Sequence, residues 1–331
     1  MTNLSLQEQT LYEKMLSQKQ AVPRGAGTRL PRDAGALWPV DAVSTVAEYH
    51  PEDLVVTVGA SMRLLELAQV LDANHQWHAL MLPDQGQDSL GGVIALGLEG
   101  WFRTPLFRDR ILGMRAITPA FGPISTGAKV VKSVAGYNLP RLLLGSRGGL
   151  GVITEITLRV SPKPPIQQIW VHEVTDPQQS LGAFLRCGVP WASLAFLRQS
   201  DSMVLTAVWS GSQELDSFVE QLGHPTEASL LPRLESHAQG YLTYGAVPIG
   251  QALALLNSWP RKQPVFLEST TGGFWGYVAD AAEAGRVRQR ARDLGGMAST
   301  PFLRPAVPPA PWWKTLKQSF DPDGCLWDPW Q

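Results

Sequence analysis

The chain has 331 residues, which is enough for one large or two ordinary domains, and 44% of them are hydrophobic against 17% charged. Because its 28 basic and 29 acidic side chains nearly cancel, there is no charge excess that would attract nucleic acid or an anionic membrane. Two distant cysteines, Cys187 and Cys325, with no C-x-x-C motif or Cys/His cluster, exclude an iron–sulfur cluster or a structural zinc held by this chain alone. We interpret both thiols as buried and reduced.

The first residues and the hydropathy pattern indicate a cytoplasmic protein. The opening sequence MTNLSLQEQTLYEKMLSQKQ lacks the basic start and apolar run of a signal peptide. No segment approaches the roughly 18 consecutive apolar residues that a membrane helix needs. We therefore predict no transmembrane segment and a cytoplasmic location, with any peripheral membrane contact made through a partner.

The first predicted elements lead to a glycine-containing loop. Ser5 and Glu8 form the S-x-x-E pattern of a capping box, which predicts an amphipathic helix over residues 6–18. A brief strand then ends in G-A-G-T at residues 25–28. Consecutive N–H groups of such a loop can surround a diphosphate without any lysine, although a simple turn explains the motif equally well.

A glycine pair follows the next strand and helix. Residues 53–59 predict a buried strand, and Ser61 is the predicted N-cap of the helix after it. A loop over residues 81–86 leads to S-L-G-G at residues 89–92, where a serine cap and paired glycines suit a helix N-terminus placed close to an anion. Close packing of small residues would also explain these glycines.

A longer glycine-rich stretch runs from residue 129 to residue 160. It follows a predicted strand over residues 110–118 and a predicted turn, rich in Gly and Pro, over residues 119–127. Its last part, residues 148–158, is a glycine turn leading into an alternating β-branched strand, and such a turn lets a ligand lie against bare backbone. The alternative is a tight turn before an ordinary strand.

Three prolines within residues 161–165 predict a domain boundary there, because this run cannot continue a sheet. Beyond it, the order of helices and strands favours an α+β domain with an antiparallel sheet. The predicted strands are 166–174, 192–197, 203–209, 265–269 and 274–278, and the predicted helices are 177–187, 212–222, 249–259 and 281–294. Trp312, Trp313, Trp327 and Trp330 indicate a tail that docks on its own domain, with contact to another subunit as the alternative.

Four motifs together carry a family resemblance: G-A-G-T at residues 25–28, S-L-G-G at 89–92, V-A-G-Y-N-L at 134–139 and G-S-R-G-G-L-G-V-I-T-E at 145–155. Their order and intervals resemble those of the FAD-linked oxidases of the vanillyl-alcohol oxidase type. Within that family, the likeness is greatest to the FAD-binding subunits of glycolate oxidase (glycolate dehydrogenase). It covers about half of the chain, and beyond that half it is weak.

The resemblance implies an α+β fold in two domains. The first, over residues 1–164, is a PCMH-type FAD-binding domain of two α+β subdomains, divided at about residues 88 and 89. The second, over residues 165–331, is a smaller α+β FAD-linked oxidase-like domain with an antiparallel sheet.

The same resemblance implies the cofactor contacts. The residues expected to bind FAD are Gly25, Ala26, Gly27, Thr28, Pro83, Gly91, Gly92, Ala135, Gly136, Asn138, Leu139, Gly149, Gly151 and Ile153. Those up to Thr28 and the pair at residues 91–92 would face the pyrophosphate, so Gly91→Asp is expected to lower flavin occupancy by charge repulsion. Thr28 stands where members with tethered flavin carry histidine, which implies noncovalent FAD.

The implied function is that of the FAD-binding subunit in a multisubunit glycolate (2-hydroxy acid) dehydrogenase, which oxidises glycolate to glyoxylate and passes electrons to a partner. A second flavin-binding subunit would carry the substrate site, and a separate subunit the iron–sulfur cluster. The six histidines are scattered, and none stands out as the base for the hydroxyl proton. The alternatives are a free-standing FAD-dependent oxidase or dehydrogenase of another hydroxy acid or alcohol, and a non-catalytic assembly subunit that keeps the fold.

Overall fold

The computed structural model describes residues 5–29, 37–40, 44–80, 82, 87–98, 107–127, 140–213, 215, 225, 240–300, 303 and 311–329. The helices are α1 (Leu6–Leu16), α2 (Leu64–Asp72), α3 (Leu90–Leu96), α4 (Pro140–Leu143), α5 (Pro177–Arg186), α6 (Ala252–Ser258), α7 (Ala281–Asp293) and α8 (Pro311–Phe320). The strands of the N-terminal half are β1 (Val22–Arg24), β2 (Leu37–Pro39), β3 (Val46–His50), β4 (Val55–Gly59), β5 (Gln76–Trp77), β6 (Ile111–Thr118), β7 (Gly122–Gly127), β8 (Val152–Arg159) and β9 (Ser161–Pro162). Those that follow are β10 (Ile166–Glu173), β11 (Ser193–Ser200), β12 (Ser202–Gly211), β13 (Tyr241–Ala246), β14 (Lys262–Glu268), β15 (Gly273–Val278) and β16 (Met297–Ser299).

The N-terminal half is built on a five-stranded antiparallel sheet of order β3-β4-β8-β6-β7. Every residue of β4 is buried, which agrees with the buried strand predicted there. Helices α2 and α3 bury their apolar sides in the same core cluster, through Leu64, Leu67, Leu71, Leu90, Val93 and Ile94. Helix α2 starts later than predicted: its N-cap is Arg63 instead of Ser61.

A seven-stranded sheet of order β10-β12-β11-β14-β15-β13-β16 forms the second half, and all its pairs are antiparallel. Alternate residues point to opposite faces. Ala195, Phe266 and Trp275 join the core cluster of the first sheet, whereas Phe196 and Phe274 pack in a second cluster with α5, α6 and α7. The predicted α+β fold with an antiparallel second sheet is confirmed.

One prediction based on proline was wrong. Residues 119–127, predicted as a turn, contain β7, which forms a hairpin with β6 and places Pro123 opposite Ile117. Because β7 lies at the edge of its sheet, a missing N–H there breaks no central ladder. Pro162 lies in the run predicted to mark a domain boundary. It belongs to β9 and pairs with Gln76 of β5 in a separate two-stranded sheet, after β8 of the five-stranded sheet has ended at Arg159.

The C-terminal segment, residues 311–329, was predicted to dock on its own domain, but it docks largely on the N-terminal half. Leu326 forms a parallel bridge with Ala21, and Ala120 donates its N–H to the Phe320 carbonyl at 3.1 Å. Trp313 is buried and Trp312 exposed, while Trp330 lies outside the described residues. Cys325 is buried as expected, but the other thiol, Cys187, is only half-buried.

The helix predicted over residues 212–222 falls mostly outside the described residues. In the part of the chain that is described, no helix is long and apolar enough to cross a membrane.

Candidate cofactor-binding cleft

Three of the four glycine motifs meet at one cleft. Its walls are the loop after β1, the N-terminal end of α3 and the segment leading into β8, and its empty volume, counted with its open mouth, is about 800 Å³. Of the predicted contact residues, Gly25, Ala26, Gly27, Thr28, Gly91, Gly92, Gly151 and Ile153 line it.

Gly149 is the one other predicted contact residue within the described ranges, and it does not line the cleft. Gly149 faces away from the cleft, since a Cβ built on it would lie 2.7 Å from Cδ of Pro329. Pro83, Ala135, Gly136, Asn138 and Leu139 lie outside the described residues, so their predicted contacts remain predictions.

Ser89 joins the first glycine loop to helix α3. It is the N-cap residue of α3, but its hydroxyl makes no capping bond to that helix. Instead its Oγ accepts the Ala26 N–H at 3.4 Å. A Cβ on Gly25 would lie only 2.7 Å from the same oxygen, so the loop approaches the helix more closely than a larger residue would allow.

The two glycines of S-L-G-G serve different purposes. Gly91 donates its N–H to the Ala60 carbonyl at 2.8 Å, and a Cβ on it would lie 2.9 Å from the Ala60 Cβ. Close packing therefore explains Gly91, and its amide is already used. At Gly92 the N–H donates to no protein acceptor within the described ranges, which leaves this amide at the helix start available to a ligand.

The segment before β8 has an unusual backbone. Gly145, Arg147 and Gly148 have φ values of 74°, 54° and 77°. Positive φ is accessible to glycine but unfavourable for arginine, because the Cβ crowds the backbone. Arg147 is held there partly by its N–H, which donates to the Ala95 carbonyl of α3 at 2.7 Å.

A buried ion pair that the sequence analysis missed borders the first loop. Arg29 donates to Asp88 from Nε at 3.0 Å and from Nη2 at 2.6 Å, and Thr28 Oγ1 also donates to that carboxylate. The side chains of Arg29 and Asp88 are 5% and 3% exposed, so the pair is largely removed from water. The only hint in the sequence is that each charge adjoins a glycine motif.

The same arginine reaches the second sheet. Its Nη1 donates to the Tyr277 hydroxyl at 3.2 Å, and its guanidinium lies 4.7 Å from the centre of the Trp275 ring. The loop at one wall of the cleft is thus bound to β15 as well as to the segment before α3.

A second arginine connects the cleft to the far sheet. Arg147 lines the cleft and donates to Ser299 Oγ of β16. Nearby, the Tyr244 hydroxyl donates to the Leu96 carbonyl at 2.5 Å. Burial raises the pKa of Tyr244, although the Arg147 charge acts in the opposite direction, so this phenol stays protonated at neutral pH.

The charged residues of the described cleft wall are three arginines, Arg24, Arg29 and Arg147, and one acid, Asp88. Because Asp88 is paired with Arg29, the remaining charge is positive, which suits an anionic ligand such as a diphosphate.

No described histidine lines this wall. His78 is buried, and burial is the main cause that lowers its pKa to about 4, with the Arg110 charge adding to the effect. It is therefore neutral at physiological pH. His50 is half exposed and is hydrogen-bonded to Glu48 at 2.8 Å. It does not line the cleft.

Comparison with known proteins indicates the cofactor. Residues 14–126 match a family described as the FAD binding domain. FAD is accordingly the cofactor of this chain, and the cleft fits it: bare backbone at the first loop, an available amide at Gly92 and a positive lining suit the pyrophosphate.

Curated relatives of the FAD-binding domain are oxidoreductases or their subunits. The chain is 38% identical over 122 residues to glycolate oxidase subunit GlcE of Escherichia coli, 28% over 195 residues to glycolate oxidase subunit GlcD of Bacillus subtilis, and 34% over 152 residues to the mitochondrial D-lactate dehydrogenase [cytochrome] of Arabidopsis thaliana. These matches cover 36%, 56% and 43% of this chain and 35%, 41% and 26% of the relatives. The chain therefore matches less than half of the length of each.

A solved structure has a similar fold over nearly the whole chain. An alkyldihydroxyacetonephosphate synthase superposes with a TM-score of 0.67 over 98% of this chain and 75% of its own. At 13% identity this likeness concerns the fold alone.

Proposed function

We propose that this protein is the FAD-binding subunit of a multisubunit glycolate (2-hydroxy acid) dehydrogenase, which oxidises glycolate to glyoxylate and passes the electrons to a partner. The observation that carries the proposal is the 38% identity to glycolate oxidase subunit GlcE, in a chain whose glycine motifs meet at one cleft. When bound, FAD supplies the electron acceptor for oxidation of the alcohol. The chain itself binds and orients that cofactor.

The proposed cofactor contacts follow the cleft. Backbone of residues 25–28 and the Gly92 amide hold the pyrophosphate, while the backbone of Gly151 and Ile153 supports the cofactor beside them. Ala135, Gly136, Asn138 and Leu139 line the flavin, with Pro83 as a further contact. FAD is bound noncovalently, a proposal supported by Thr28, whose hydroxyl already donates to Asp88.

We place the substrate site mainly outside this chain. Oxidising a hydroxy acid requires a base for the hydroxyl proton within hydrogen-bonding reach. Among the described residues that line the cleft, the one carboxylate is Asp88, which is occupied by Arg29 and Thr28, and no histidine is present. A second flavin-binding subunit would then carry the base, and a separate iron–sulfur subunit would accept the electrons. The complex would be cytoplasmic.

A second candidate is a free-standing FAD-dependent dehydrogenase of another 2-hydroxy acid. It is favoured by the D-lactate dehydrogenases of Arabidopsis thaliana and Anaerostipes hadrus. Both are 34% identical to this chain, over 152 and 151 residues respectively. The chain would then supply its own base from residues outside the described ranges. The third candidate function is that of a non-catalytic assembly subunit. Absence of FAD binding would distinguish it from the two enzymes.

Purification from the native cell tests the three readings together. The proposal predicts a flavin spectrum for the isolated chain, no dye reduction with glycolate or D-lactate by that chain alone, and glycolate-dependent dye reduction by the complex that co-purifies with it. Turnover by the isolated chain would contradict the proposal in favour of the free-standing enzyme. A colourless chain that still co-purifies with the active complex would indicate the assembly subunit.

A further inference from the structure

The C-terminal segment, residues 311–329, contacts the loop at residues 147–149, which borders the cleft. Trp327 donates its indole N–H to the Arg147 carbonyl at 2.8 Å, and Lys317 donates from Nζ to the Gly149 carbonyl at 2.8 Å. Pro329 packs against Gly149, where a Cβ would lie 2.7 Å from the proline Cδ. Arg147 and Gly148 of the same loop line the cleft.

Lys317 also organises the segment that carries these contacts. Its ammonium donates to Asp321 Oδ2 at 2.6 Å, to the Leu326 carbonyl at 2.9 Å and to the Trp327 carbonyl at 3.1 Å. Asp321, whose side chain is 0% exposed, accepts the N–H groups of Cys325 and Leu326 at 2.8 and 2.9 Å. One buried ion pair thus fixes both the turn after α8 and the loop beside the cofactor.

The loop needs such support because its conformation is unfavourable on its own. Arg147 and Gly148 both have positive φ, and a non-glycine residue adopts this region only where its surroundings impose it. Hydrogen bonds to the Arg147 and Gly149 carbonyls fix the orientation of the adjoining peptide groups. They therefore also orient Arg147 and Gly148, which line the cleft.

We propose that Lys317 and Trp327 are positioning residues for the cofactor: they touch neither the cleft nor a ligand in it, and they set FAD affinity by holding the loop at residues 147–149 in its binding conformation. This inference rests on the cofactor placement proposed above and is independent of the substrate. It gives the tryptophan-rich tail a role in cofactor binding within the chain.

The test compares two variants of this segment with two controls. Trp327→Phe keeps an aromatic ring and removes the N–H donor, and Lys317→Met keeps the aliphatic stem and removes the ammonium. Lys314→Met makes the same change on the exposed side of the same helix. Leu256→Ala opens the core on the helix-covered face of the second sheet and lowers stability without touching the loop.

FAD dissociation constants from flavin fluorescence titration of the apoproteins, and unfolding midpoints in urea, are measured for all four. We expect Trp327→Phe and Lys317→Met to raise the dissociation constant about tenfold, as for loss of one hydrogen bond that orders a site. Lys314→Met and Leu256→Ala should stay within about twofold of wild type.

Unchanged FAD affinity in Trp327→Phe would overturn the proposal, even if Lys317→Met failed to fold. An equal loss of affinity in Leu256→Ala at matched stability would also overturn it, because the effect would then be general destabilisation. Because this test involves no turnover, its failure is distinct from failure of the glycolate proposal, which would appear in turnover.

Discussion

At the scale of single residues, the Arg29–Asp88 pair shows how a buried charge is made tolerable. The carboxylate accepts hydrogen bonds from Arg29 and Thr28, and the guanidinium also has the Tyr277 hydroxyl and the Trp275 ring beside it. Removing one member would leave the other charge buried without its main partner.

Asp88→Ala is therefore expected to lower the free energy of unfolding by about 3–5 kcal/mol, the usual effect of breaking a buried pair from one side. Denaturant unfolding of the apoprotein measures it. The matched control is Asp72→Ala, which removes the exposed partner of Lys163 and should cost far less because water screens that pair. Equal losses in the two variants would contradict the buried-pair account.

The structure gives a different physical reason for the expected loss of flavin in Gly91→Asp. The sequence suggested that Gly91→Asp would repel the pyrophosphate, but any Cβ at this position meets Ala60 at 2.9 Å. We expect Gly91→Ala to lower the free energy of unfolding by about 1–3 kcal/mol and to lose FAD nearly as much as Gly91→Asp. Urea unfolding and bound-flavin absorbance decide this. A neutral Gly91→Ala with a severe Gly91→Asp would restore the electrostatic explanation.

Most of the glycines that local motifs singled out line the cleft, because close backbone approach requires glycine whatever the partner is. They could not show what each glycine faces. Gly91 meets Ala60 and Gly149 meets Pro329, and both partners are distant in sequence. Likewise, no local sequence pattern predicts that Arg29 pairs with Asp88.

At the scale of elements, helix α1 shows both the strength and the limit of local patterns. The S-x-x-E motif predicted its capping box, and Ser5 and Glu8 form it. The same Glu8 carboxylate also accepts hydrogen bonds from Arg115 of β6, one of them at 2.8 Å. This contact fastens α1 to the sheet, and no helical pattern could predict it.

The Glu8 contacts predict an acid-dependent loss of stability. Burial by itself would raise the pKa of Glu8, but the hydrogen bonds from Arg115 and from the Ser5 backbone outweigh it and hold the pKa below its usual value. The unfolded chain therefore binds the proton first. The stabilisation is present above the unfolded pKa of about 4.3 and is lost as the pH falls through the folded pKa.

Glu8→Gln should accordingly be less stable than wild type near neutral pH and should approach it below about pH 4. Urea midpoints measured between neutral and acid pH test this. A constant difference between the two proteins across the whole range would show that the Glu8 charge contributes nothing.

At the scale of the whole molecule, the two sheets share one core cluster. Val56 and Leu67 of the first half belong to the same buried cluster as Phe266 and Trp275 of the second. The sequence predicted a boundary at residues 161–165 from its prolines, and the two sheets do separate near there. It could not show that the halves share a core and that residues 311–329 return to the first.

Because of this shared core, we expect the halves to unfold together. Far-UV circular dichroism and tryptophan fluorescence should report coincident urea transitions. Two separate transitions would mean that the contact between the sheets contributes little to stability.

The central claim is that the glycine segments of the cleft enclose one FAD. A crystal structure of the FAD-loaded protein tests it most directly. The account predicts a pyrophosphate against the backbone of residues 25–28 and the Gly92 amide, with no covalent bond from Thr28 to the flavin. FAD bound elsewhere, with this cleft occupied by solvent alone, would contradict it.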